Sequence, residues 1–152
     1  MLEMKVRVGP EAFSGGSFVY VWMDQGRRPI YVGETGKSVS DRIGLHIRGK
    51  ERSGAILSKI IHERNMPEQE YIVLAFPIDT PLLEKIAKEN GAAANSASFN
   101  RARKALERRV YDLLSEHYDN LHQARGCRWR AESGAQFAGD VLEACRSRTQ
   151  ST

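Results

Sequence analysis

Cysteine is scarce in this sequence, with only Cys127 and Cys145 among 152 residues. Two cysteines in a chain of this length do not make a disulfide framework, and without His or Cys at short spacing they do not make a zinc knuckle. Long apolar runs are also missing, since the longest, at about 71–78, has the length of a strand. The first residues contain no apolar segment of signal-peptide length. We therefore expect reduced thiols, a cytoplasmic location and no membrane partner.

Glycine and proline, with 13 and 5 residues, are too few for a collagen-like or low-complexity chain. Hydrophobic residues make up 41% of the chain and charged residues 28%, and the length suits one globular domain with a short extension at most. The chain has 23 Lys and Arg against 19 Asp and Glu, for a net charge of +4. This mild basicity permits a nucleic-acid partner without requiring one.

The residue pattern predicts an α+β fold in the order β-β-α-α-β-α-α, with a small antiparallel three-stranded sheet flanked by helices. Strands are predicted at 17–23, 30–32 and 71–76 from their β-branched and aromatic residues. Helices are predicted from Ser38, from Ser53, from Thr80 to Gly91 and from Asn100 to about Tyr118, and one more short helix is predicted in the tail at 137–145.

Two tyrosines, Tyr20 and Tyr31, occupy the hairpin formed by the first two strands. We expect the turn to pair Met23 with Ile30. Tyr20 then lies opposite Gly33, and the two tyrosines become diagonal neighbours on one face of the sheet. Gly33 would leave space beside them for a ligand or for backbone. Tyrosines are common packing residues in strands, so the pair alone does not establish a site.

Arg42 and His46 are four residues apart in the first predicted helix and therefore project from the same face. Ile43 and Ile47 lie one position further round, where we expect a buried apolar seam. A guanidinium group matches phosphate oxygens and an imidazole titrates near neutral pH, so this pair suits phosphate binding and proton transfer. A solvated helix face explains the same spacing. Lys37, just before the helix, would add a third cation.

Glu107 lies in line with Val110 and Leu114 on the longest predicted helix, at the edge of an apolar stripe. A carboxylate in this position needs a charged partner or a metal ion. Mg²⁺ often takes only one or two protein carboxylates and completes its shell with water and substrate phosphates. A salt bridge to Arg103 or Arg108 is the alternative.

The joint order of these motifs resembles the GIY-YIG nuclease superfamily. Residues 18–20 and 31–33 match its two short hairpin motifs. Tyr20 corresponds to the tyrosine of the first motif, and Tyr31 and Gly33 correspond to the tyrosine and the glycine of the second motif. Phe18 stands in place of the first-motif glycine, and valine stands in place of isoleucine in both motifs.

Later residues extend the resemblance over about 17–121. Arg42 and His46 correspond to the family's helix arginine and to the histidine that often follows it. The segment around Glu107 looks like the family's metal-binding glutamate helix, and Asn120 lies where a trailing asparagine is expected. Glu84 is the alternative metal ligand, and Glu107 is preferred because its predicted helix is long and Asn120 lies downstream of it.

The resemblance also divides the chain. Residues 77–100 look like an insertion before the glutamate helix. We expect an N-terminal extension at 1–16, a nuclease domain at 17–121 and a basic C-terminal extension at 122–152.

The resemblance implies hydrolysis of nucleic-acid phosphodiester bonds, with DNA favoured, and a divalent cofactor, Mg²⁺ or another ion such as Mn²⁺. Arg42 would stabilise the non-bridging oxygens, and the metal on Glu107 would stabilise the leaving oxygen. Tyr31 is the first candidate base, because nearby cations would lower its pKa, and His46 is the alternative. Tyr20 would position water or phosphate. Substrate binding would involve Gly33, Lys37 and Asn120.

Two other functions stay open, a non-catalytic nucleic-acid-binding module on a degenerate nuclease fold and a partner-binding protein whose motif match is chance. In a nuclease or in a non-catalytic binding module, the basic segments at 37–52 and 125–130 would contact nucleic acid, with Trp129 stacking on a base. Packing of Trp129 on the core competes with that role. Sequence specificity would require the insertion, the tail, a homodimer or a partner protein.

Overall fold

A computed structural model describes residues 10–48, 60, 62–63, 70–123 and 127–150. The described residues form an α+β fold in which helices pack against a four-stranded sheet. The strands are β1 (Phe18–Met23), β2 (Pro29–Thr35), β3 (Ile72–Pro77) and β4 (His122–Gln123). The helices with described bounds are α1 (Val39–Arg48), α2 (Thr80–Glu89), α3 (Ser96–Ser115) and α4 (Ala135–Gln150). Most of the helix predicted from Ser53 lies outside the described residues.

The sheet has the strand order β3-β1-β2-β4. β1 pairs antiparallel with both β2 and β3, whereas β4 pairs parallel with β2 through His122 and Tyr31. The sheet is therefore mixed, and the prediction of three antiparallel strands is wrong by one strand. Two residues are too short to show the alternation by which a strand is recognised in a sequence.

The hairpin register is confirmed over most of its length. Tyr20 pairs with Gly33, as expected from alternation in the two strands. Met23 pairs with Pro29 rather than with Ile30, because an irregularity in the pairing follows Trp22.

The two faces of the sheet have different side chains. Val19 and Val21 of β1 belong to an apolar core that also contains buried residues of α2, α3 and α4. Tyr20 and Trp22 alternate with them, point to the opposite face and pack with Tyr31 in a second cluster. The hairpin therefore separates an apolar side from a side rich in polar aromatic groups.

Helix α3 begins at Ser96, four residues before the predicted Asn100. The side chain of Asn95 accepts a hydrogen bond from the backbone of Ser98, whose hydroxyl accepts one in return, which is a capping box. The helix therefore includes residues 96–99, which were not predicted to be helical.

The predicted insertion and the C-terminal segment both contribute to the apolar core. Leu83 and Ile86 of α2 are buried in it, as are Val141 and Cys145 of α4. Trp129 packs against the same core. Both cysteines are free thiols. Among the described residues, none of the helices is long and apolar enough to cross a membrane.

Candidate active site

Helix α1 brings Arg42 and His46 to the hairpin. The helix is capped at Ser38, whose hydroxyl accepts a hydrogen bond from the backbone amide of Asp41 in the first turn. His46 is only 2% exposed, whereas Ile47 is 47% exposed. The expected burial of Ile47 is therefore wrong, because the helix is turned so that the imidazole meets a polar partner on β1.

That partner is the hydroxyl of Tyr20. The Nε atom of Arg42 donates a hydrogen bond to the Tyr20 oxygen at 3.0 Å, and the same oxygen lies 2.8 Å from Nε2 of His46. A guanidinium group can only donate, so the phenol accepts from Arg42 and donates its single proton to His46. His46 is then a neutral imidazole with its own proton on Nδ1. Burial, aided by the charge of Arg42, lowers the pKa of His46 to about 4, which favours that neutral form.

Gly33 makes room for this phenol. It lies opposite Tyr20 in the sheet, and a Cβ atom at position 33 would overlap the hydroxyl and ring of Tyr20. The space predicted for a ligand beside the tyrosines is therefore occupied by Tyr20 itself. This correction gives the glycine a structural role in seating the residue that links Arg42 to His46.

Tyr31 completes the aromatic cluster. Its ring centroid lies 6.2 Å from that of Tyr20 and 5.3 Å from that of His46. Its hydroxyl is buried and makes no hydrogen bond of ordinary geometry with any residue that the structure describes.

Burial raises the pKa of Tyr31 and outweighs the opposing effect of Arg42, so the charge of Arg42 alone does not give the expected lowering. Burial likewise raises the pKa of Tyr20 to about 12, although Arg42 opposes the shift there too. Both phenols are therefore neutral at physiological pH in this closed structure.

Helix α3 adds Glu107, which is 3% exposed. Its carboxylate contributes to the raised pKa of both tyrosines and so lies within electrostatic range of them. The arginines considered as its alternative partners form ion pairs elsewhere: Arg103 with Glu34 at 2.9 Å, and Arg108 with Asp112 at 2.7 Å.

We call Tyr20, Tyr31, Arg42, His46 and Glu107 the polar network. Its members come from β1, β2, α1 and α3, and the structure brings all five predicted catalytic residues together.

The other predicted residues have different settings. Lys37 is exposed just before α1. Asn120 is exposed and has φ +61° in the turn that leads to β4, a conformation that asparagine adopts more readily than most residues. Glu84, the alternative metal ligand, is exposed on α2.

An open groove of about 350 Å³ lies beside the network, with Lys37, Arg42 and Arg103 as its cations. Arg42 joins this groove to the network, whereas Tyr20 and Tyr31 have no exposed surface.

Sequence reasoning missed the ion pair of Arg103 with Glu34 in the groove wall. It also missed Gly36, where a Cβ atom would come within 2.6 Å of the Arg103 guanidinium group. The positions of Glu34 beside the second hairpin motif and of Arg103 one turn before Glu107 are the signals that bear on this pair.

The network offers a limited set of metal ligands. Among the described residues, no group of three or more His, Cys, Asp or Glu side chains could hold a metal ion. Glu107 provides one buried carboxylate within electrostatic range of the two tyrosines. This donor set fits Mg²⁺ or Mn²⁺ in a site with one protein carboxylate, completed by water and phosphate oxygens.

Comparison of the chain with models of known protein families, with curated proteins and with solved structures finds no match. The resemblance to the GIY-YIG superfamily therefore stays a prediction that depends on the motif residues. The chemistry of the polar network is the basis for the functional conclusion.

Proposed function

We propose that this chain is a metal-dependent endonuclease that hydrolyses phosphodiester bonds of nucleic acid, with DNA as the favoured substrate. The observation that supports this proposal most is the hydrogen-bonded series Arg42–Tyr20–His46, placed beside Tyr31 and Glu107. Residues distant in the sequence together supply a phosphate-binding cation, phenols, a neutral imidazole and a carboxylate. These are groups suited to general acid–base catalysis and to stabilising charge on a phosphate.

Arg42 is suited to binding the scissile phosphate. Its Nε atom is held by Tyr20, which orients the guanidinium plane, and the residue lines the groove together with Lys37. A guanidinium group in this position would stabilise the charge that develops on the non-bridging oxygens. Glu107 would hold the divalent ion, which when bound stabilises the leaving oxygen as a Lewis acid.

Tyr20 and His46 offer a path for the proton of the attacking water. The phenol donates to Nε2 of His46, and Arg42 would stabilise the phenolate formed by passing that proton on. Tyr31, the first candidate base in the sequence, has no such hydrogen bond among the described residues. The geometry therefore favours Tyr20, with His46 as proton acceptor, over Tyr31.

The pKa values of this pair set a condition on the mechanism. A phenol with a pKa of about 12 does not transfer its proton to an imidazole with a pKa of about 4 in the closed network. Burial is the largest cause of both shifts, so entry of substrate and water would bring the two values closer together. Cleavage through this network therefore requires groove side chains to move when a phosphate binds at Arg42.

The complete burial of Tyr20 and Tyr31 favours one alternative, a non-catalytic nucleic-acid-binding protein. In such a protein the network would have a structural role, and Arg42 would bind phosphate without hydrolysis. The two functions differ in whether Mg²⁺ produces cleavage.

The test is nicking of supercoiled plasmid, with an RNA substrate in parallel, in Mg²⁺ and in EDTA. We expect cleavage that EDTA abolishes. Glu107→Gln should reduce the rate at least about 100-fold, because a metal ion supplies several kcal/mol of transition-state stabilisation. Glu84→Gln, an exposed glutamate on α2, is the matched control and should cleave like the unaltered protein. Cleavage by Glu107→Gln at the unaltered rate, or no cleavage of any substrate, would contradict the proposal.

A further inference from the structure

Helix α3 carries Glu107 on its buried side and a row of cations on its exposed side. Arg101, Lys104 and Arg108 are spaced by three and four residues, which places them on one face of the helix, and all three are exposed. From helical geometry the row is roughly 10 Å long and lies about a quarter of a turn from Glu107.

Two aromatic rings lie beside this row. The guanidinium carbon of Arg101 is 5.8 Å from the ring centroid of Trp129, and that of Arg108 is 5.8 Å from the ring centroid of Tyr111. Both rings are partly exposed. Cations and aromatic faces therefore alternate along one surface.

The contact of Arg101 with Trp129 joins two segments that are separate in the sequence. Arg128 and Arg130, on either side of Trp129, are both exposed. Their charges therefore lie next to the end of the α3 row. Neither segment has this extent of positive surface by itself.

The helix that carries the row is basic as a whole. Helix α3 contains five Lys and Arg against two Asp and Glu, a net charge of +3, compared with +4 for the whole chain. Asp112 offsets part of this through its ion pair with Arg108. That pair is about half exposed, and pairs of this kind contribute little, so a phosphate can compete for Arg108.

We propose that this surface, the α3 basic face (Arg101, Lys104, Arg108, Tyr111 and Trp129), binds the nucleic-acid substrate outside the polar network. The inference rests on the proposed function. A row of roughly 10 Å matches about three phosphate steps, at 3.4 Å per nucleotide along a duplex strand. The cations neutralise phosphates, and the contacts with Trp129 and Tyr111 hold the guanidinium groups of Arg101 and Arg108 on this surface.

The experiment measures binding of a fluorescein-labelled 30-base-pair DNA duplex to the full chain by anisotropy, in EDTA and over a series of salt concentrations. The test variant is Lys104→Gln with Arg108→Gln. The control is Lys85→Gln with Lys88→Gln, which removes two exposed charges from α2. We expect the test variant to bind at least tenfold more weakly. The slope of log affinity against log salt should fall by about two, since each phosphate contact contributes about 0.9.

Equal losses in the test and control variants would overturn the inference, because total charge would then explain binding. Binding by the test variant with unaltered affinity and salt slope would also overturn it. Lys104→Glu, a single exposed substitution, repeats the test if the double variant melts at a lower temperature. If the α3 variants bind DNA normally and the unaltered protein cleaves in Mg²⁺, the inference about α3 is wrong and the proposed function stands. If DNA binds through α3 but is not cleaved, the inference about α3 stands and only the catalytic proposal is wrong.

Discussion

The two faces of the central sheet bury their side chains by different physical means. Val19 and Val21 pack into an apolar core with three helices, where burial of hydrocarbon stabilises the fold directly. On the opposite face Tyr20 packs with Tyr31 and His46, and several polar atoms are removed from water. Buried polar atoms cost stability unless each finds a partner.

Three buried atoms on the polar face make no hydrogen bond with the residues that the structure describes. They are Nε1 of Trp22, the Tyr31 hydroxyl and Nδ1 of His46. An apolar filling of the same volume would avoid this cost. The apolar face therefore contributes stability through burial of hydrocarbon, whereas the polar face buries hydrogen-bonding groups at a cost in stability.

The largest expected effect on stability lies on the apolar face. Leu114 of α3 is completely buried in the apolar core. Leu114→Ala should lower the free energy of unfolding by about 2–5 kcal/mol, because it removes buried hydrocarbon and leaves a cavity. Urea denaturation measures this loss. Asp112→Ala, at an exposed position on the same helix, is the surface control. A loss below about 1 kcal/mol would mean that this face is not the main stabilising core.

The polar face should make stability depend on pH through His46. Its pKa is about 4 in the folded protein and about 6.5 in an unfolded chain, so between these values the unfolded chain binds more protons. The stabilising contribution is present above pH 6.5 and is lost as the pH falls toward 4. Between pH 7 and pH 4.5 the unaltered protein should lose about 2 kcal/mol more than His46→Gln does.

Urea denaturation of both proteins at the two pH values makes this measurement, and the contributions of other groups cancel in the difference. Equal losses in the two proteins would show that His46 titrates normally when folded. The neutral hydrogen-bonded state assigned to it would then be wrong.

Much of the hairpin was predictable because it depends on local patterns. Alternation of side chains sets the pairing of Tyr20 with Gly33, and the four-residue spacing of Arg42 and His46 is a property of any helix. These local rules place the two tyrosines beside each other and Arg42 beside His46, whereas the approach of the two pairs depends on how α1 packs on the hairpin.

The rotation of α1 was not predictable by the same means. Hydrophobicity assigns Ile47 to the buried seam, but the hydroxyl of Tyr20 provides a buried partner that His46 can use and an isoleucine cannot. The ion pair of Arg103 with Glu34 joins residues 69 positions apart, and no local pattern reports such a distance. The orientation of α1 and the pairing of Arg103 therefore depend on tertiary contacts that sequence periodicity does not contain.

The smallest expected effect on stability separates the two tyrosines of the polar face. Tyr20→Phe removes a hydroxyl that joins Arg42 to His46, and should cost about 1–3 kcal/mol because it leaves buried partners unsatisfied. Tyr31→Phe removes a buried hydroxyl that interacts with Tyr20 without a hydrogen bond of ordinary geometry, so the free energy of unfolding should fall by less than about 1 kcal/mol. If Tyr31 is kept for stability, the second variant will be as destabilised as the first. If Tyr31→Phe folds with unaltered stability and loses nicking activity, the Tyr31 hydroxyl takes part in cleavage, and the proton path assigned to Tyr20 and His46 alone would be wrong.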